Sequence, residues 1–282
     1  MTQFYYPYSL IYMTDTTNSP AKKSSDGTSI PSKDSHVLPD DVRRAIQYLE
    51  YRRLRHKTNP LLDDAIEFFN RIHPHCYFSI ITPMKVLVAC EYSGVVRDAF
   101  TKRGHDATSC DFLPSDRPDG KHYQGNMFDL IYPHNVYDWD LIIAHPPCTH
   151  LSVSGAARWA EKVKDGRQPA AIRFVERIWD LHDSTGVKLC IENPVGALSS
   201  RSKLGKASQY VQPYMFGHSE QKKTGLWLRG LPNLEPTDYV DVSGLPNKVR
   251  QRLHYLPPSK DRWKLRSTTF QGIADAMAAQ WG

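Results

Sequence analysis

The sequence predicts an α/β fold in which a parallel sheet is covered by helices on both faces. Three observations predict it. From residue 84 onward, short apolar runs of strand length alternate with stretches whose apolar residues recur at helical intervals. The residues with unusual chemistry stand where those runs end: Glu91 to Gly94, Asp111, Pro146 to Cys148, and Glu192 with Asn193. Sheets of this kind bind ligands beyond the carboxyl ends of their strands. Finally, 282 residues with 40% hydrophobic and 23% charged content describe an ordinary globular chain, long enough to bury a substantial core.

Taken in order, residues 1–36 read as a polar leader, because 14–36 is rich in Ser, Thr and Lys and has no apolar period. Residues 37–83 read as a helical N-terminal extension. Its first helix starts at Asp40 or Asp41 and carries Val42, Ile46, Leu49 and Leu54; a second runs from Pro60 through Leu61, Ile66 and Phe69. The basic group Arg52, Arg53, Arg55, His56 and Lys57 between them reads first as a solvated helix end and second as a nucleic-acid contact. The remaining domain, 84–282, opens with a buried strand at 85–90 and an amphipathic helix at 95–103. A second strand at 107–110 ends on Asp111. A third, at 140–144, runs into Ala144-His-Pro-Pro-Cys-Thr-His-Leu-Ser152. Two prolines cannot continue a hydrogen-bonded ladder, so the chain leaves the sheet there in a rigid turn. A helix over 170–181, strands at 187–191 and 225–228, and an Ala-rich helix at 271–277 complete the pattern.

Lys and Arg total 36 against 30 Asp and Glu, a formal charge of +6. That excess mildly favours a polyanionic partner. No apolar run approaches the ~20 residues of a membrane span, and the first residues lack the pattern of a secretory signal. Cys76, Cys90, Cys110, Cys148 and Cys190 are odd in number and form no Cys-x-x-Cys pair. The expectation is a cytoplasmic monomer (host cytoplasm for a phage-encoded chain) with reduced thiols, no metal and no membrane partner.

The strand ends suggest a site. Gly94 lies in a strand-to-helix turn, where a backbone can approach a ligand. Asp111 follows it by 17 positions, near the ~20 at which an acidic residue meets ribose hydroxyls in nucleotide-binding folds. Each alone reads first as a structural turn residue; together they suggest a nucleoside-bearing cofactor. Cys148, at the end of the Pro-Pro turn, reads either as a core-edge cysteine or as a nucleophile. Glu192 reads either as a polar residue closing a strand or as a shielded carboxyl that stays protonated and acts as an acid.

The order of a glycine turn, an acidic second strand end, Pro-Pro-Cys-x-x-x-Ser and Glu-Asn-Pro resembles the DNA cytosine-5 methyltransferases over roughly residues 84–282. Ala-Cys-Glu-Tyr-Ser-Gly and Ala-His-Pro-Pro-Cys-Thr are similar to strings in short phage-type members. The resemblance implies a Rossmann-like sheet of the S-adenosylmethionine-dependent methyltransferases and methyl transfer to cytosine in double-stranded DNA. It places Cys148 as nucleophile beside Pro147, and Glu192 as acid beside Asn193. S-adenosyl-L-methionine falls to Glu91, Tyr92, Ser93, Gly94, Asp111, Phe112, Asn126, Pro146 and, on the closing helix, Asp275. The target cytosine must be flipped out of the duplex. Arg158, Lys222 and Lys223 are the candidates for phosphate or flipped-base contacts, and 229–266 is a small basic recognition segment with Lys248, Arg250, Arg252, His254, Lys260, Arg262, Lys264 and Arg266, of which Arg250, Arg252 and Arg262 are the candidate DNA contacts. The family's Gln-x-Arg-x-Arg strand falls here on Glu220, Lys222 and Thr224, and Asn126 stands where the family has aspartate. Two further readings keep the same residues: a pyrimidine-modifying enzyme with another donor or a nucleotide substrate, and an inactive DNA-binding homologue.

Overall fold

The computed structural model describes residues 83–132 and 138–282, all within the unit Thr82–Gly282. The polar leader, the helical extension up to residue 82 and its basic group lie outside the described residues. Seven strands form one sheet: β1 (Lys85–Ala89), β2 (Asp106–Asp111), β3 (His122–Gln124), β4 (Leu141–Ala144), β5 (Lys188–Pro194), β6 (Gln209–Val211) and β7 (Thr224–Arg229). Their order across the sheet is β3-β2-β1-β4-β5-β7-β6. The first five are parallel. The helices are α1 (Val95–Lys102), α2 (Trp159–Lys164), α3 (Arg167–Thr185), α4 (Leu198–Arg201), α5 (Asn247–Arg250), α6 (Arg252–Tyr255), α7 (Arg262–Ser267) and α8 (Gln271–Trp281).

Strand periodicity divides the core into two layers. Val86 and Val88 of β1, with Leu141 and Ile143 of β4, pack with α1 and α8 through Val96, Phe100, Ala274 and Met277. The alternate residues Leu87, Ala89, Ile142 and Ala144 pack with α3 through Ile172, Val175, Ile178 and Leu181. Side chains of one strand point alternately to opposite faces, so both faces must be covered. The apolar runs are continuous for that reason.

One expectation is corrected. The strand expected at 225–228 is not parallel to its neighbours: β7 runs antiparallel to both β5 and β6. Antiparallel neighbours need no crossover α-helix, and only a short 3₁₀ turn, Pro213–Met215, lies between β6 and β7. The reversal has a consequence for the site. Thr224, the first residue of β7, lies opposite Pro194, the last of β5. The start of β7 therefore stands at the carboxyl edge of the sheet, where a parallel strand would put its end.

The strand order reverses direction between β1 and β4, the switch point at which such sheets open a crevice. Around β1 the loops are held by a fully buried arginine. Arg97 on α1 donates to Ser109 Oγ (3.1 Å), Ser115 Oγ (3.2 Å) and the Arg117 carbonyl (2.9 Å), and pairs with Asp98 at 2.7 Å. A Cβ on Gly94 would lie 2.6 Å from this guanidinium, and Gly94 has a φ of 70°, so that turn requires glycine twice over. Replacing Arg97 by glutamine leaves this buried network short of its charge and most of its donors. The full-length variant should lose about 3–5 kcal/mol in urea unfolding; a loss within the scatter of surface substitutions would show that the network is dispensable.

Candidate active site

The segments leaving β4 and β5 are fastened to each other. Asn193 Nδ2 donates to the Pro146 carbonyl at 2.8 Å. The Val153 N–H bonds the Val195 carbonyl (2.9 Å), and the Ala197 N–H bonds the Leu151 carbonyl (2.7 Å). Gly196 makes the approach possible, since a Cβ there would lie 2.0 Å from the Leu151 oxygen. Cys148 opens a 3₁₀ turn, Cys148–His150, with Pro147 before it. Lys162, itself buried, donates to the Thr149 carbonyl (2.7 Å), and the buried Gln168 donates to the His150 carbonyl (2.9 Å). The prolines restrict the turn locally; these contacts hold it in space.

Glu192 and Cys148 sit on this clasp. Nδ1 of His145, the residue after β4, lies 3.0 Å from Glu192 Oε2. Burial pushes the Glu192 carboxyl upward, but His145, the Lys222 charge and the Thr224 hydroxyl outweigh it and hold the group below its ordinary value. In the free protein the carboxyl thus has partners that stabilise its charge. Cys148 is pushed up by burial and by the Glu192 charge, while Lys222, its own backbone and Arg266 pull it down. The other described thiols lack such relief. Burial, with Asp111 beside them, drives Cys90 and Cys110 upward, Cys110 to about 12, and burial drives Cys190 well above its ordinary value. Cys148 too stays above its ordinary value, but the charges of Lys222 and Arg266 offset part of the rise, which favours its thiolate relative to the other described cysteines.

Lys222 and Thr224 reach Glu192 because β7 is antiparallel. His145, Thr224 and Arg266 were not singled out as site residues in the sequence. His145 was legible as the residue between strand and Pro-Pro turn, and Arg266 only as one of many basic residues in 229–266. α7 arrives from that segment: Tyr92 donates to or accepts from Ser267 Oγ (3.0 Å), donates to the Lys264 carbonyl (3.1 Å), and stacks at a tilt on Trp263 with centroids 5.5 Å apart. Lys264 is tied to Asp116 at 3.0 Å.

On the other side of β1, the structure places the remaining candidates as follows. Glu91 is buried, and its carboxylate accepts from Ser93 Oγ (3.1 Å) and from the N–H groups of Val96 (2.7 Å) and Arg97 (3.3 Å). Those helical N–H groups are the donors that a ligand anion would otherwise meet, so the side chain of Glu91 serves the helix start. The preceding Cys90 has a φ of 59°, a strained conformation for a side-chain-bearing residue. Asp111 Oδ1 accepts from the Leu113 N–H (2.9 Å), and Oδ2 has no hydrogen-bond partner among the described residues. Phe112 beside it is 74% exposed. Asn126 is exposed and its Oδ1 caps the 3₁₀ turn Met127–Leu130 through the Phe128 N–H (3.2 Å). Asp275 is exposed on α8, where it accepts from Gln271 (2.9 Å).

The basic candidates fall into different settings. Arg158 is exposed, and Lys223 is exposed with its ammonium 4.6 Å above the Tyr210 ring. Arg252 is paired with Glu220 at 2.8 Å, Arg250 donates to Asn247 Oδ1 (2.9 Å), and Arg262 donates to the His254 carbonyl (3.1 Å). Among the described residues no three His, Cys, Asp or Glu side chains group to hold a metal ion, and no helix is long and apolar enough to cross a membrane.

These charges make a testable statement about Cys148. Glu192→Gln removes a negative charge that raises the thiol, so iodoacetamide labelling of Cys148 at pH 8 should quicken, by up to about tenfold if the thiol pKa falls by one. Lys222→Met should slow it. Site-resolved mass spectrometry reads both, with buried Cys190 as the unreactive reference; labelling that ignores both substitutions would contradict the arrangement. Comparison with protein-family models and with curated proteins finds no match for this chain.

Proposed function

We propose that the protein is a DNA cytosine-5 methyltransferase whose sheet is of the Rossmann-like, S-adenosylmethionine-dependent kind. One observation carries the reading: Cys148 and Glu192 stand on adjacent strand ends that are fastened together, with Lys222 and Arg266 acting on the thiol. A thiol nucleophile beside a carboxyl is what addition to carbon 6 of a pyrimidine requires, because that addition makes carbon 5 nucleophilic. Cys148 forms the bond to carbon 6, its approach fixed by the turn that Lys162 and Gln168 hold. Glu192 faces ring nitrogen 3 and stabilises the adduct. Collapse of the adduct, with loss of the carbon-5 proton, returns Cys148 as thiolate.

The residues at the ends of β1 and β2 fit the adenosine part of S-adenosylmethionine. Asp111 keeps one carboxylate oxygen for ribose hydroxyls, Phe112 offers an uncovered ring for the adenine, and the left-handed Gly94 brings backbone close. Glu91, Ser93 and Tyr92 shape that turn, the first two through the start of α1 and Tyr92 through its contacts with α7. When bound, S-adenosylmethionine supplies an electrophilic methyl group. Arg158, Lys222 and Lys223 serve the DNA phosphates or the flipped base, and such contacts make binding salt-dependent. Arg252, paired with Glu220, serves α6 first.

Two outcomes test the reading. Cys148→Ser should abolish transfer of label from S-adenosylmethionine to DNA while leaving the fold and DNA binding intact; a serine variant that still transfers would remove Cys148 from its role. Asp111→Ala should weaken S-adenosylmethionine binding by about 1.5–3 kcal/mol, roughly tenfold to a hundredfold, in calorimetry. Wild-type affinity in that variant would put the adenosine elsewhere.

A further inference from the structure

β3 lies at one edge of the sheet, and none of its three residues is buried. His122 and Gln124 are two positions apart, so they share one side of the strand, and they pair in register with Ser109 and Asp111 of β2. Both reach the turn that leaves β2. Nε2 of His122 lies 2.9 Å from the Leu113 carbonyl, and Gln124 Nε2 donates to the Phe112 carbonyl at 3.1 Å. The Leu113 N–H is held by Asp111 Oδ1 at 2.9 Å. A carbonyl only accepts, so Nε2 of His122 carries a proton. Nδ1 of the neutral ring then accepts from Ser109 Oγ at 2.9 Å, and Ser109 Oγ accepts from Arg97 at 3.1 Å. Three donors thus run in sequence from the buried guanidinium to the Leu113 carbonyl.

This turn carries Phe112, the most exposed of the large apolar side chains described, at 74%. The ring belongs to neither core layer, so packing does not account for a turn held this closely. Carbonyls open to water find partners there, so the two bonds from β3 add little net stability. What they fix is position: a flat apolar face beside Asp111, whose Oδ2 has no hydrogen-bond partner among the described residues.

We propose that His122 and Gln124 are positioning residues for the cofactor: by holding the carbonyls of Leu113 and Phe112, they keep the Phe112 ring where it stacks on adenine. The proposal rests on the cofactor reading above. A ring already in place loses little freedom when the ligand arrives, whereas a free one must be ordered on binding, which weakens affinity. The two residues touch no ligand themselves, and their effect passes through Phe112.

Calorimetry of S-adenosylmethionine binding to the full-length chain tests this as a pair of double-mutant cycles. Gln124→Met keeps the side chain's length at an exposed edge position and removes its donor. His122→Phe keeps a ring and removes both nitrogens. Each should weaken binding about threefold to tenfold, and Phe112→Ala about fivefold to a hundredfold. In the Phe112→Ala background the same two substitutions should change affinity by less than about twofold. Variants of β3 that bind like wild type overturn the proposal. So do variants that lose the same factor without the Phe112 ring, which is what general damage to the fold would give. Wild-type affinity in Phe112→Ala removes the ring from the site, and a folded wild type that binds no S-adenosylmethionine removes the cofactor reading itself; the proposal falls with either.

Discussion

The arrangement depends on one clasp: the joining of the segments that follow β4 and β5. Parallel strands end side by side, so the two chains leaving them start as neighbours and normally diverge into separate helices. Here they do not diverge. The Pro146 carbonyl has no place in a ladder interrupted by proline, and Asn193 takes it up. Two further backbone bonds close the seam, and Gly196 is the residue whose missing side chain lets the backbones meet. Backbone groups that would otherwise be buried without partners thus satisfy one another. A nucleophile and a carboxyl placed on such a seam keep their separation, because neither can move without breaking several bonds.

Electrostatics follow from topology. β7 enters the sheet in reverse, so its first residues, rather than its last, arrive at the ligand edge. That brings Lys222 and Thr224 to Glu192 and gives Cys148 a cation. A second cation, Arg266, follows α7, which is seated on Tyr92. The segment expected to read DNA therefore has one end fixed on the turn after β1 and its charge on the thiol. Cation placement here offsets part of the rise that burial and Glu192 impose on the Cys148 thiol, an offset with no counterpart in what drives Cys90, Cys110 and Cys190 upward.

Much of this was legible in the sequence, and the remainder was hidden for physical reasons. The apolar runs named β1, β2, β4, β5 and β7, because strands buried on both faces must be continuous in hydrophobicity. β6 has three residues at the sheet edge and only its last, Val211, is buried, which leaves no pattern to read. The direction of β7 was hidden because periodicity carries no sense of direction. Cys148, Glu192 and Asn193 were legible as chemistry at strand ends. The charge-stabilising surroundings of Glu192 were not, since they depend on His145 meeting Lys222 and Thr224 from a distant part of the chain. Glu91 was visible as a loop residue, but its use as an internal cap for α1 appears only once the helix N–H groups are in place.

The most direct measurement of the central claim is nucleoside mass spectrometry of DNA incubated with the full-length protein and methyl-labelled S-adenosylmethionine. The account predicts label in 5-methyldeoxycytidine. Label on the exocyclic nitrogen of a base, or unlabelled DNA from a folded protein that binds both ligands, would contradict it.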